Sequence, residues 1–259
     1  MRMASSIAVV ASGLVASFAH ADHLHEMGMD QREDAPAFAG QVSLVAAAYA
    51  TPSYVGDYQG VVPSLAWAHD RYLAGASLGL YRIMLNGLQQ HGIGDLMVHA
   101  GATFVRQHDV RAGVMMMVSA PTADSRFGLG MGHAMLMPSL FGAWTRDRLT
   151  VQADAGYSRA LAKVEAGHDH GVWPLVEPMN MSEITWGAGC ELALGDGLRG
   201  GARLTGGVPL GPIRGHDRVI GALRVGWGRG RVDTAAEVQA GLVGDPFTVR
   251  GLLESALHF

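Results

Sequence analysis

From about residue 38 to the last residue the chain alternates apolar with polar or small residues, and helix-period patterns are scarce. Side chains on a strand point in turn to its two faces, so a period of two marks a strand with one apolar face. The final segment shows the pattern plainly. In 247–259 the odd positions Phe247, Val249, Gly251, Leu253, Leu257 and Phe259 make an apolar face, and Arg250, Glu254 and His258 stand on the other. The segments 38–50, 59–69, 72–84, 95–107, 110–120, 132–145, 149–161, 183–194, 198–208, 218–227 and 232–242 read the same way. That makes twelve strands.

The links alternate too. Short ones fall at Asp70-Arg71, His108-Asp109, Arg146–Arg148, Gly195–Gly197 and Gly228–Gly230, and longer ones at 51–58, 85–94, 121–131, 163–182, 209–215 and 243–246. Backbone polar groups in lipid must all pair, so a spanning sheet closes on itself, with an apolar outer face and a polar lumen. The expected fold is therefore all-β: a transmembrane antiparallel up-and-down β-barrel of about 12 strands, one domain over 38–259. A soluble sandwich or lipocalin-like barrel would turn its apolar face inward instead. Tyr49, Tyr72, Trp144, Tyr157, Trp186, Trp227, Phe247 and Phe259 lie near segment ends and are expected to form interfacial girdles.

The first 21 residues read as an address. Arg2 precedes an apolar run over 7–19, and Ala19-His20-Ala21 is an A-x-A cleavage site. The run is about 13 residues, short of the roughly 20 that a spanning helix needs. The reading is a secretory signal peptide over 1–21, cleaved near Ala21, then a polar lead-in over 22–37. The expected location is the cell outer membrane, with its lipid as a partner.

Composition removes several functions. A net charge of −4 lacks the basic excess of a nucleic-acid binder. The single cysteine, Cys190, excludes an intramolecular disulfide and any C-x-x-C motif. There is no P-loop and no H-E-x-x-H, and no H-x-S pair to share a strand face. His99 and Ser139 are the nearest approach to a nucleophile and its base, so no enzyme is expected and no cofactor is obligatory.

Fourteen methionines and twelve histidines stand out. The alternation places Met97 and His99, Met115 and Met117, and His133, Met135 and Met137 on the inner face of three consecutive strands. These seven are the candidate lumen-lining residues for a solute. Thioether and imidazole ligands suit soft ions such as Cu(I), while methionine is also a flexible filler of irregular interiors. The longest link repeats the chemistry: His168, His170, Glu177, Met179 and Met181 form a candidate set for copper or another soft or divalent ion. In the C-terminal half the inner face carries Asp154, Glu183, Glu191, Arg199, Arg203, Arg224, Asp233, Glu237, Arg250 and Glu254. Both signs occur in similar number, which favours an internal ion-pair network over a selectivity filter.

Two passages carry a resemblance. Gly92-Ile93-Gly94-Asp95-Leu96 opens one strand, Ala120-Pro121-Thr122-Ala123-Asp124 closes the next, and Pro138-Ser139-Leu140-Phe141-Gly142 lies in the strand after. Over about fifty residues this resembles the bacterial outer-membrane transporter-like barrels described as "meta-pathway of phenol degradation" proteins. The resemblance implies an outer-membrane channel for small molecules, with no catalytic residues to carry over. Phe259 similarly resembles the terminal signal that outer-membrane barrels present to the barrel-assembly machinery. The expected role is an outer-membrane channel or transporter for a small apolar or aromatic solute or a soft metal ion. The alternatives are a copper or heavy-metal binding or resistance protein using the Met/His clusters, and a structural barrel without transport.

Overall fold

The computed structural model describes residues 37–50, 55–161, 173, 175–176, 179–210, 217–244 and 247–259. The expected signal peptide and nearly all of the lead-in lie outside them.

Twelve strands follow one another: β1 Ala37–Ala50, β2 Val55–His69, β3 Tyr72–Leu85, β4 Leu88–Arg106, β5 Val110–Ala120, β6 Met135–Arg146, β7 Leu149–Ala160, β8 Ser182–Gly195, β9 Leu198–Pro209, β10 Arg218–Arg229, β11 Val232–Val243 and β12 Val249–His258. Each pairs antiparallel with its neighbours in sequence, and β1 pairs with β12 from Ala39↔His258 to Ala48↔Val249. The sheet is a closed barrel with no free edge, the arrangement that leaves no strand backbone unpaired in hydrocarbon.

The two faces settle the choice between a membrane barrel and a soluble one. Outward side chains are apolar and exposed: Leu65 is 70% accessible and Leu223 69%. Inward side chains include Arg250 at 1%, Glu183 at 0% and Gln239 at 0%. A water-soluble barrel would show the reverse.

The short turns occupy one end of the barrel. Several hold a residue in the left-handed region: Asp70 (φ 50°), Asp147 (φ 54°) and Asp196 (φ 52°), the last followed by Gly197 (φ 79°). Asp tolerates that region through local hydrogen bonding, and Gly enters it freely. The opposite end carries the longer links, with one correction. The stretch 85–94 is not a long loop. Asn86 (φ 48°) and Gly87 (φ 84°) make a two-residue turn, and β4 begins at Leu88. Asn-Gly is the commonest type I′ hairpin pair, because its twist matches that of the flanking strands.

This extension makes β4 19 residues long. At ~3.3 Å per residue and a tilt near 40° it rises roughly 45 Å, against an apolar band of about 25 Å. The β3–β4 hairpin therefore projects beyond the membrane. There the outward face turns polar: Asp57, Gln59 and Arg82 form a bonded cluster, with the Arg82 guanidinium 3.1 Å from the Asp57 carboxylate.

The aromatic girdle is lopsided. Phe38, Tyr72, Phe104, Trp144, Trp227 and Phe259 are exposed at the short-turn end. Tyr49 and Phe247, expected in the girdle, instead face the lumen at 1% and 2% accessibility. Phe247 also precedes β12 rather than opening it. Both lie at the long-link end, where inward-folded loops give apolar side chains a buried place inside the barrel.

Replacing Leu223 by arginine tests the lipid face. It sits mid-strand and outward, opposite Val238 and Ala202, where a cation at the bilayer midplane costs about 2–4 kcal/mol. Equilibrium unfolding from bilayers should show a loss of that order, and an unchanged midpoint would contradict the assigned face.

Candidate functional site

The lumen divides into three regions. The first is the methionine cluster. Met97, Met115, Met117, Met135 and Met137 are each at most 3% accessible and pack with Ala39, Ala66, Ala68 and Ala160. The register sets them in rows: His99 opposes Met117, which opposes Met137; Met97 opposes Ser119, which opposes Met135; Gly101 opposes Met115, which opposes Ser139. His99 and His133 are buried at 3% and 4%, with His133 contributed by the segment just before β6. All seven expected lumen residues thus face inward.

Met179 and Met181, grouped by sequence with the long-link metal candidates, pack instead against this same cluster. His168, His170 and Glu177 lie outside the described residues. Among the described residues no group of three or more His, Cys, Asp or Glu side chains stands close enough to hold a metal. The Ser139 hydroxyl is buried without a hydrogen-bond partner, so the His99–Ser139 pair is not formed.

The second region is the ion-pair wall of β7–β12. Arg203 pairs with Asp154, and Arg218 reaches Glu183 at 2.6 Å. Arg224 lies between Glu237, at 3.2 Å, and Glu254. Arg199 stands 3.8 Å from Glu191 and 3.6 Å from Asp233, which also meets His258 at 2.7 Å. Arg250 donates from Nε to Gln239 at 2.6 Å and lies 4.5 Å over the Phe247 ring. Cation meets carboxylate on the next strand or the next but one, so the wall is cross-linked and its charges largely cancel, the network reading of these charges.

The third region is the mouth at the long-link end. Tyr49, Tyr58 and Tyr81 form a line, the first pair tilted at 5.7 Å and the second edge-to-face at 6.1 Å, with Val62, Ile83 and Leu252 around them. The β5–β6 loop folds down onto this aromatic floor. Leu129 and Met131 are 3% and 2% accessible, and Phe127 meets Trp173 edge-on at 6.4 Å. The two long loops are tied together and to the wall: Val176 N–H donates to Gly128 O at 2.9 Å, and Tyr49 OH donates to Leu175 O at 3.2 Å.

A buried loop must find partners for its backbone groups. Asp95 supplies them. Its carboxylate accepts from Ala123 N–H at 3.1 Å and Met131 N–H at 2.8 Å. The Thr122 hydroxyl accepts from Leu96 N–H at 2.8 Å and donates to Gly94 O at 2.9 Å. Gly94 and Asp95 occupy a bulge where Leu96 pairs with Leu78 and Ile93 with Leu80. A bulge frees backbone groups and re-aims a side chain, and here both effects serve the loop. The sequence placed Asp95 and Thr122 in separate motifs without linking them. At the exposed turn beyond, Arg126 grips Asp124 at 2.6 Å and holds that carboxyl below its usual range.

No protein-family model and no curated protein matches the chain by sequence. Solved structures do match in fold. The COG4313 outer membrane channel from Pseudomonas putida F1 superposes with a TM-score of 0.69 at 13% identity, covering 88% of this chain and 98% of that one. The KdgM porin, solved with disordered oligogalacturonate, gives 0.54 at 10% identity over 86% and 99%. The translocator domain of the autotransporter NalP from Neisseria meningitidis gives 0.53 at 13% identity over 90% and 91%.

Changing Asp95 to alanine removes both acceptors of the loop, at about 1–3 kcal/mol for each buried donor left unpaired. Single-channel recording in planar bilayers should show higher conductance than the parent. Equal conductance would mean that Asp95 does not hold the loop in the mouth. The likenesses in structure match what these strands show: the chain has the closed up-and-down β-barrel fold of outer-membrane channels.

Proposed function

We propose that the barrel resides in the outer membrane and passes a small apolar or aromatic solute. One observation carries the reading: the path from the mouth to Met115 is bounded on β1–β6 mainly by tyrosine rings and methionine thioethers, the Asp95 carboxylate being taken up by the loop backbone and Arg111 lying beyond Met115 toward the short-turn end. The charges of the opposite wall are held in pairs, so they offer a hydrophilic solute few free contacts. Thioether and ring surfaces form weak, non-directional contacts that a small apolar molecule can make and break in sequence. The fold likeness to a barrel described as an outer membrane channel supports the same reading.

Proteoliposomes carrying the barrel test it. A labelled monoaromatic hydrocarbon should enter faster than into empty vesicles, while swelling in a monosaccharide stays near background. Introducing a lysine at Met117 should cut hydrocarbon entry at least about tenfold, since ~1.4 kcal/mol suffices for that factor and an unpaired buried charge costs more. Heat-modifiable gel mobility would verify that the variant is folded. Equal entry of sugar and hydrocarbon would make this a general diffusion pore, and entry of neither would make it a structural barrel.

A further inference from the structure

We infer that Arg106 and Arg111 form a carboxylate site at the short-turn end of the lumen, and that its ligand is a small acid with an apolar, ring-bearing body. The two arginines stand directly opposite each other, Arg106 as the last residue of β4 and Arg111 as the second of β5. Residues so opposed share a face, with Cβ atoms about 4.5–5.5 Å apart. Arg111 lies on the same face of β5 as Met115 and Met117, which are buried in the lumen. Both guanidiniums therefore belong to the inside of the barrel and not to its lipid face.

Like charges directly opposed on a sheet destabilise it. Elsewhere in this lumen the chain supplies the counter-charge itself: Arg199, Arg203, Arg218 and Arg224 each meet a carboxylate. Arg106 and Arg111 differ. Among the described residues neither guanidinium is in an ion pair, and Asp109, in the turn that joins their strands, reaches neither. Arg106 is exposed and water screens its charge, but Arg111 is half-buried and is screened less. An anion held between the two removes the repulsion. The guanidinium fork fits the two oxygens of a carboxylate, and the hydrogen bonds it donates there are charge-assisted.

The surface beside the pair selects the rest of the ligand. The next inward-facing residue of β5 is Gly113, opposite Phe141 of β6. The Phe141 ring lies over the Gly113 backbone, where a Cβ would strike its Cζ and Cε1. Phe141 packs on the methionine cluster on one side and is only half-buried, so its ring continues the apolar wall up to the two arginines. An inorganic anion would use the guanidiniums alone. An acid whose body rests on Phe141 uses both, and its carboxylate stays at the end of the barrel that meets water. This inference rests on the reading that the methionine wall passes an apolar solute, and it adds apolar acids to the solutes that the wall delivers.

The full barrel, purified in detergent from outer membranes, is titrated calorimetrically with 4-bromobenzoate. Bromobenzene and acetate each carry one half of that ligand and should bind at least about tenfold more weakly. Arg106→Gln and Arg111→Gln should each weaken binding of 4-bromobenzoate about tenfold, and the double variant about 100-fold, the worth of one and two charge-assisted bonds. Arg148→Gln, which removes an exposed arginine from a turn at the same end, should bind as the parent does. Anomalous diffraction from parent crystals soaked in 4-bromobenzoate should place the bromine against Phe141, a measurement that does not depend on any variant folding. Parent-like affinity in the double variant, acetate or inorganic phosphate bound as tightly as 4-bromobenzoate, or bromine bound only elsewhere would each overturn the site. Binding is read without passage. A barrel that holds 4-bromobenzoate here yet admits no hydrocarbon would sink the transport reading alone, and one that admits hydrocarbon but holds no acid here would sink this inference alone.

Discussion

The pairing of β1 with β12 is the constraint on which the rest depends. In hydrocarbon an unpaired N–H or C=O has no water to turn to, so the sheet closes or the chain does not span. Closure then dictates the faces. Outward residues meet lipid and are apolar; inward residues meet each other across a narrow lumen and must fill it. Twelve strands leave more interior than the smallest barrels, which their own side chains fill. This chain fills its lumen in two ways: paired charges on β7–β12, and thioethers with aromatic rings on β1–β6.

One local break in that pairing shapes the mouth. Two residues of β4, Gly94 and Asp95, face Gly79 of β3, and the ladder slips between Leu78 and Leu80. The Tyr81 ring settles over the backbone of Gly60, Gly79 and Gly94, where any Cβ would collide with it. The backbone groups of Leu96 and Gly94 are taken up by Thr122, and the Asp95 carboxylate turns to the backbone of Ala123 and Met131. A single bulge thereby does three things. It seats a tyrosine against the wall, anchors an inward-folded loop, and gives the Leu96 N–H and the Gly94 carbonyl a partner at the seam. Substituting Gly130 would disturb the same joint, since a Cβ there would meet both Asp95 and Ala123.

The strands and their inward sides were legible in the sequence because the contrast between lipid and lumen is large and repeats every two residues. Met97, Met115, Met117, Met135 and Met137 were placed correctly for that reason. The contrast fails where lipid ends. Above the apolar band β3 turns Tyr81 and Ile83 inward and Arg82 outward, so apolar no longer means lipid-facing, and Tyr49 and Phe247 were misplaced by the same inversion. The Asn86-Gly87 turn carried a plain local signal, but the polar and glycine-rich residues of 88–94 read as loop because alternation is weak where both faces meet water. The convergence of Met179 and Met181 on the strand methionines was not legible, since a loop has no period from which to infer a direction.

The division of the lumen decides which side can act on a solute. On the charged wall Arg224 lies between Glu237 and Glu254, and Arg199 between Glu191 and Asp233. Each cation is already engaged by carboxylates, so no arginine of this group presents an uncompensated positive charge to the lumen. Such a wall stiffens the barrel and discriminates little. Among the described residues the lumen face of the opposite wall shows no ion pair between its tyrosines and methionines. Thioethers and rings are polarisable and methionine side chains are unbranched with three rotatable bonds, so they can repack around a molecule where a salt bridge cannot. Selectivity in this barrel therefore belongs to the β3–β6 side, and the loop that Asp95 holds in the mouth lies directly above it.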